Sequence, residues 1–85
     1  MNINIKTAFN IGDRVYIPTL FSGEWFVSKI PHEIIAIEIK INNKRQIDVF
    51  YTTIDDMGVV STWLETSCFA SYNRSLQWCE EQNNK

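Results

Sequence analysis

The chain has little that would commit it to a particular chemistry. It carries one histidine, two cysteines, three glycines and two prolines in 85 residues. Gly12, Gly23 and Gly58 are isolated and far apart, so there is no glycine-rich loop to cradle a phosphate, and nucleotide binding has no support. Cys68 and Cys79 lie in no Cys-x-x-Cys or Cys/His pattern, which leaves no recognisable metal site. Neither sign of charge dominates: eight Lys plus Arg stand against ten Asp plus Glu, for a net charge of -2 and a pI near 5.2. The global positive field that draws a nucleic-acid backbone is therefore missing. Long apolar runs are missing too. The stretch Ile34 to Ile39 is broken by Glu38 and is far too short to span a bilayer. Met1 to Lys6 alternates Asn with Ile and lacks the basic head and continuous apolar run of a secretory signal. The expectation is a cytoplasmic protein with reduced thiols and no membrane partner.

What the chain does have is apolar and aromatic content. At 45% apolar and 13% aromatic it is richer than a disordered chain and has enough to form one small core. Residues 1–85 are read as a single domain: a flexible N-terminus over 1–8, a β-rich body over 9–69 and a helix over 71–82. Gly12-Asp13 marks a turn into a strand over Arg14 to Ile17, which Pro18 ends by removing a ladder donor. Thr19 to Gly23 is expected to be a loop, and Glu24 to Ile30 a second strand, rich in residues that pack on a pleated surface. The clearest period follows, where Ile35, Ile37, Ile39 and Ile41 alternate with Ala36, Glu38 and Lys40. A helix would scatter those four isoleucines, so this is a strand with all of them on one face.

Asn42-Asn43 is expected to turn that strand into a hairpin with Gln46 to Thr53, because Asn tolerates the left-handed conformation of tight turns. Asp55, Asp56 and Gly58 mark a further turn, and Val59 to Glu65 resumes the strand pattern. Cys68 and Phe69 form a brief strand, and Ser71 caps a helix from Tyr72 to about Gln82. Tyr72, Leu76 and Cys79 form its apolar stripe. Short strands, frequent turns and one terminal helix predict a mainly-β fold, an antiparallel barrel of about five strands closed by a C-terminal α-helix. A flat α+β sandwich, with the helix across one sheet face, is the competing topology.

The opening Ile11-Gly12-Asp13-Arg14-Val15-Tyr16 resembles the start of the first strand in small SH3-like barrel proteins. Together with the strand-rich run Trp25 to Tyr51 and the ending Cys68-Phe69-Ala70-Ser71 before a short helix, it is similar to small uncharacterised proteins of bacteria and their phages. The resemblance spans most of the chain and implies binding rather than catalysis, with no cofactor and no site residue to transfer. For a phage-encoded chain the compartment would be the host cytoplasm.

Candidate sites are few. His32 has no nucleophile or carboxylate beside it in sequence, so no catalytic set can be assembled and no enzyme is expected. Asp55 and Asp56 are too few for a calcium loop and are sufficiently explained as turn residues. Neither Cys68 nor Cys79 has a His or a lysine-rich setting to activate it, so both are read as packing residues. The strongest remaining signal is aromatic. Tyr16, Trp25, Phe50, Trp63 and Trp78 are the candidate partner-binding residues, because Trp and Tyr bury large areas at interfaces for little entropy. The expected function is a non-enzymatic protein-binding module that occupies the surface of a host protein as a stoichiometric inhibitor, in the manner of anti-defence or anti-CRISPR proteins. Self-association into a homodimer would hide the same aromatics. The alternative is a nucleic-acid-binding barrel of KOW-like or OB-like type, with Lys40, Lys44 and Arg45 on the backbone and aromatics stacked on bases.

Overall fold

Val15, Ile34 and Tyr51 are fully buried, and they come from three neighbouring strands that wrap around them. The computed structural model describes residues 6–85. Its main sheet is built from β1 (Arg14–Val15), β4 (His32–Ile41), β5 (Ile47–Ile54) and β6 (Val60–Leu64), antiparallel throughout, in the order β1-β4-β5-β6. One turn of 3-10 helix, Glu65–Ser67, follows β6 and brings the chain back toward β1. There Tyr16 and Phe69 exchange two backbone hydrogen bonds of 2.8 and 2.9 Å. The far ends of the sheet thus meet, and it curls into a half-barrel around Val15, Ile17, Ile34, Val49, Tyr51 and Cys68, with Phe9, Ile37 and Trp63 packed against them. The fold is mainly β with one C-terminal helix, as the alternation predicts.

Local expectations are corrected at three places along the chain. Thr19 to Gly23 is not a loop: Thr19–Phe21 is strand β2, paired with β3 (Glu24–Phe26) across a two-residue turn. Ser22 and Gly23 both have positive φ, at 50° and 79°, which mirror-image hairpin turns require. The strand expected to reach Ile30 stops at Phe26, and Ser28 Oγ accepts a hydrogen bond from the Ile30 N–H in a local turn before Pro31.

The second correction concerns the isoleucine face. The β4–β5 register slips between Ile34 and Ala36, a bulge that places Ile34 in the core and leaves Ile35 39% exposed. Beyond the bulge Ile37, Ile39 and Ile41 stand opposite Tyr51, Val49 and Ile47 on one face. The third is the hairpin turn. Asn42 acts through its side chain, its Oδ1 accepting from the Lys44 and Gln46 N–H groups, while the left-handed residue is Arg45 at φ 61°.

The helix α1 (Tyr72–Asn83) starts where Ser71 predicts, with its hydroxyl accepting from the Arg74 N–H at 3.2 Å. Its fully buried positions are Ser75 and Cys79, with Tyr72, Leu76 and Trp78 half-buried around them. Ser75 tolerates burial because its hydroxyl donates to the Tyr72 carbonyl at 2.8 Å. The helix packs against β3 rather than across the main sheet. Ser71→Ala is expected to cost about 1 kcal/mol, read as a lower urea midpoint. An unchanged midpoint would mean the cap hydrogen bond adds nothing to the folded state.

Of the N-terminus expected to be flexible, residues 1–5 lie outside the described residues. Thr7 to Phe9 are held in place. The Ala8 N–H donates to Glu65 Oε2 at 3.0 Å, the Phe9 N–H to the Tyr51 hydroxyl oxygen at 3.1 Å, and the Thr7 hydroxyl to the Phe9 carbonyl. No helix among the described residues is long and apolar enough to cross a membrane.

Candidate protein-binding site

The aromatics singled out in the sequence divide into two groups. Trp25 on β3 and Trp78 on α1 meet edge to face, with ring centroids 4.7 Å apart at 81°. Phe69 lies 6.0 Å from Trp78, and Tyr16, tied to Phe69 through the backbone, stands 6.0 Å from the Tyr72 ring. Two sets of touching rings, Trp25–Trp78–Phe69 and Tyr16–Tyr72, are thus joined through the Tyr16–Phe69 backbone bridge beside β3 and α1. Phe50 and Trp63 are elsewhere. Phe50 is on the outer face of β5, with the Lys40 ammonium 5.1 Å from its ring centre, and Trp63 packs against the core with its Nε1–H donating to Thr53 Oγ1 at 3.1 Å.

Beside the first set is a pocket of about 350 Å³ lined by Pro18, Trp25, Thr66, Ser67, Phe69 and Trp78. Each wall has a local reason to be there. Buried Pro18 ends the β1 segment and turns the chain into β2, and the 3-10 turn after β6 supplies Thr66 and Ser67. The β2–β3 hairpin is fastened to the end of α1 by one side chain: Asn83 Oδ1 accepts from the Trp25 N–H at 2.8 Å, and Asn83 Nδ2 donates to the Trp25 carbonyl at 3.1 Å. This pairing satisfies both backbone groups of Trp25 and sets how far its ring stands from Trp78.

Among the described residues no charged group lines the pocket, whose wall combines aromatic rings with Thr66 and Ser67. On the adjoining hairpin Leu20, 58% exposed, stands across from Trp25, while the exposed Phe21 and Phe26 lie on the hairpin's other face, and Arg74, Gln77 and Glu81 of α1 flank Phe69 and Trp78 on the far side. Such a site suits an apolar or aromatic side chain whose carrier buries the hairpin around it.

The other titratable candidates have structural surroundings. Asp55 Oδ1 accepts from the Met57 and Val59 N–H groups, holding the turn in which Gly58 has φ 82°. His32 faces Trp63 edge-on at 6.5 Å, and its Nδ1 is buried with no hydrogen-bond partner among the described residues. Burial raises the thiol pKa of Cys68 to about 11, with the Glu65 carboxylate adding to the effect, and burial likewise raises that of Cys79, so both stay protonated near neutrality. No group of three or more His, Cys, Asp or Glu that could hold a metal occurs among the described residues. Of the basic residues, Lys40 is 3.7 Å from Glu38 and directly across from Asp48, so its charge is flanked by two carboxylates, while Lys44 and Arg45 sit in the hairpin turn.

Pro18, Leu20, Thr66, Ser67 and Phe69 are the site residues that sequence reasoning missed. The Ser22-Gly23 step between apolar residues was the available signal for the β2–β3 hairpin. Nothing local to the sequence brings Phe69 to Trp78. A comparison of the chain with models of known protein families, with curated proteins and with solved structures finds no match to any of them.

Proposed function

We propose that the chain is a non-enzymatic protein-binding module that takes up an apolar or aromatic side chain of its partner in the pocket walled by Phe69 and the packed Trp25–Trp78 pair. The observation that carries this reading is the pocket walled by Trp25, Phe69 and Trp78, with the exposed Leu20 directly across from Trp25 on the same face of its hairpin. Buried aromatic anchors surrounded by apolar contacts that exclude water are what make small interfaces tight. A domain of this kind acts stoichiometrically, by covering a surface of its partner. That mode of action suits a small inhibitor of a bacterial host protein.

Thr66→Glu tests the site. Thr66 is exposed on the pocket wall, so the variant places a carboxylate in the pocket without touching the core. The expected result is that the wild-type domain selects peptides with apolar or aromatic anchors from a displayed random library, with a shift in tryptophan emission on binding. The variant should bind the same peptides about tenfold or more weakly, the effect of an unpaired charge in an apolar contact. Equal binding by both forms would remove the pocket from the function. Capture of nucleic acid instead, lost on replacing Lys44 and Arg45 by glutamine and steeply salt-dependent, would put the nucleic-acid reading in its place.

A further inference from the structure

The main sheet leaves its longest strand open on one side. Among the described residues β1 pairs with β4 only at His32 and Glu33, and the backbone of Ile34 is taken by the Gly12–Asp13 turn. From Ile37 to Ile41 the outer edge of β4 has no partner among the described residues. Beyond Phe50 toward the turn, β5 has also left β6 behind, so the β4–β5 hairpin continues as a two-stranded ribbon. The radius of gyration of 14.1 Å, against roughly 12 Å for a compact chain of this length, fits such a projection. One face of the ribbon is apolar: Ile39, Ile41 and Ile47 are 40%, 51% and 46% exposed.

The hydrogen-bonding parity of the free edge follows from its two ends. Ile34 directs its N–H and carbonyl away from β5, toward Asp13 and Gly12, whereas Asn42 directs its N–H inward to the Gln46 carbonyl. Alternation back from Asn42 turns Ile41, Ile39 and Ile37 outward, and the bulge between Ile34 and Ala36 reconciles this with the outward Ile34. The free edge therefore offers the backbone groups of Ile37, Ile39 and Ile41.

We propose that a second copy of this chain pairs antiparallel with that edge, about a two-fold axis at Ile39, making one continuous sheet across two protomers. An antiparallel strand pair is its own symmetry mate, as an isologous dimer requires. In this register Ile39 faces Ile39 of the second copy, and Ile37 faces its Ile41, all through outward backbone groups. Glu38 then stands opposite Lys40 of the second copy, and Lys40 opposite its Glu38, at non-hydrogen-bonded positions where side chains are closest. Sliding the pair by one step either way, at the same parity, sets Glu38 against Glu38 or Lys40 against Lys40. The charges on this strand, which alone could be read as guards against edge pairing, thus favour one register of it. The isoleucine faces of the two ribbons become contiguous.

Sedimentation across a protein concentration series tests the pairing, with circular dichroism confirming that the variants fold. The wild type is expected to be a dimer. Lys40→Glu and Glu38→Lys, both at solvent-facing positions, each create two like-charged pairs per dimer and should weaken self-association by about tenfold or more. Mixing the two variants in equal amounts restores opposite charges at both positions and should recover a dimer containing one of each. A monomeric wild type overturns the proposal. A dimer indifferent to both variants, or a mixture that stays monomeric, overturns the assigned edge and register.

Discussion

Replacing Tyr51 by alanine is expected to leave the domain unfolded or barely folded at room temperature. Tyr51 has no exposed surface, and its ring packs edge to face with Phe9 at 5.6 Å in the middle of the core. Truncation of such a residue costs about 3–5 kcal/mol, comparable with the whole stability of a domain this small. The hydroxyl adds a separate contribution. It donates to Glu65 Oε2 at 2.5 Å and accepts from the Phe9 N–H, so it joins β5, the 3-10 turn and the N-terminal segment. Tyr51→Phe keeps the ring and leaves the Phe9 N–H without that partner and Glu65 with one donor fewer. The expected loss is about 1–3 kcal/mol, measured by urea unfolding with tryptophan emission as the signal. If Tyr51→Phe unfolds at the wild-type midpoint, the hydroxyl does not tie these segments together energetically.

The same residue shows why the sequence was only partly legible. Val49 and Tyr51 alternate with Asp48 and Phe50, and that alternation was enough to place a strand and its inner face. Strand identity, the Ser71 cap and the Asp55 turn all rest on residues near one another in the chain, where local sterics and hydrogen bonding decide the outcome. The Ile34 bulge was invisible because an unbroken apolar run, Ile34-Ile35, satisfies two registers equally, and only the pairing with Thr53 and Thr52 selects one. The pocket was half legible for a related reason. Trp25 and Trp78 stand out as large aromatics, but their meeting depends on Asn83, a polar residue near the chain end whose pairing with Trp25 spans 58 positions. Nothing in the local pattern separates that asparagine from a fraying terminus.

The pocket and the free β4 edge are built from different elements, which matters for how the two proposals combine. Trp25, Trp78 and Phe69 belong to β3, α1 and the bridge at Tyr16, whereas the edge lies at the distal end of the β4–β5 ribbon. None of the pocket residues takes part in the proposed pairing. A dimer through β4 would therefore carry two pockets, and a partner presenting two anchors would be held with the avidity of a bivalent contact. Thr66→Glu and Lys40→Glu should act independently, the first on partner binding and the second on self-association.

Stability is expected to fall steeply in mild alkali, and Cys68 is the main cause. Its buried thiol, which donates to the Leu64 carbonyl at 3.6 Å, has its pKa raised from 9.0 to about 11, by desolvation first and by the Glu65 carboxylate second. The sign follows from proton counts. Above pH 9 the unfolded chain releases this proton while the folded chain keeps it, so the unfolded state gains free energy relative to the folded one until the pH passes about 11. A shift of this size corresponds to about 2–3 kcal/mol lost across the window. Tyr51 acts in the same direction from its own ordinary value upward, since burial and then its hydrogen bond to Glu65 raise its pKa. Urea midpoints measured from pH 7 to 11 should therefore decline from about pH 9 onward. Cys68→Ala should be less stable at neutral pH, because it loses buried volume, yet show a shallower decline over the same range. A parallel decline in wild type and variant would assign the alkaline loss to groups other than this thiol.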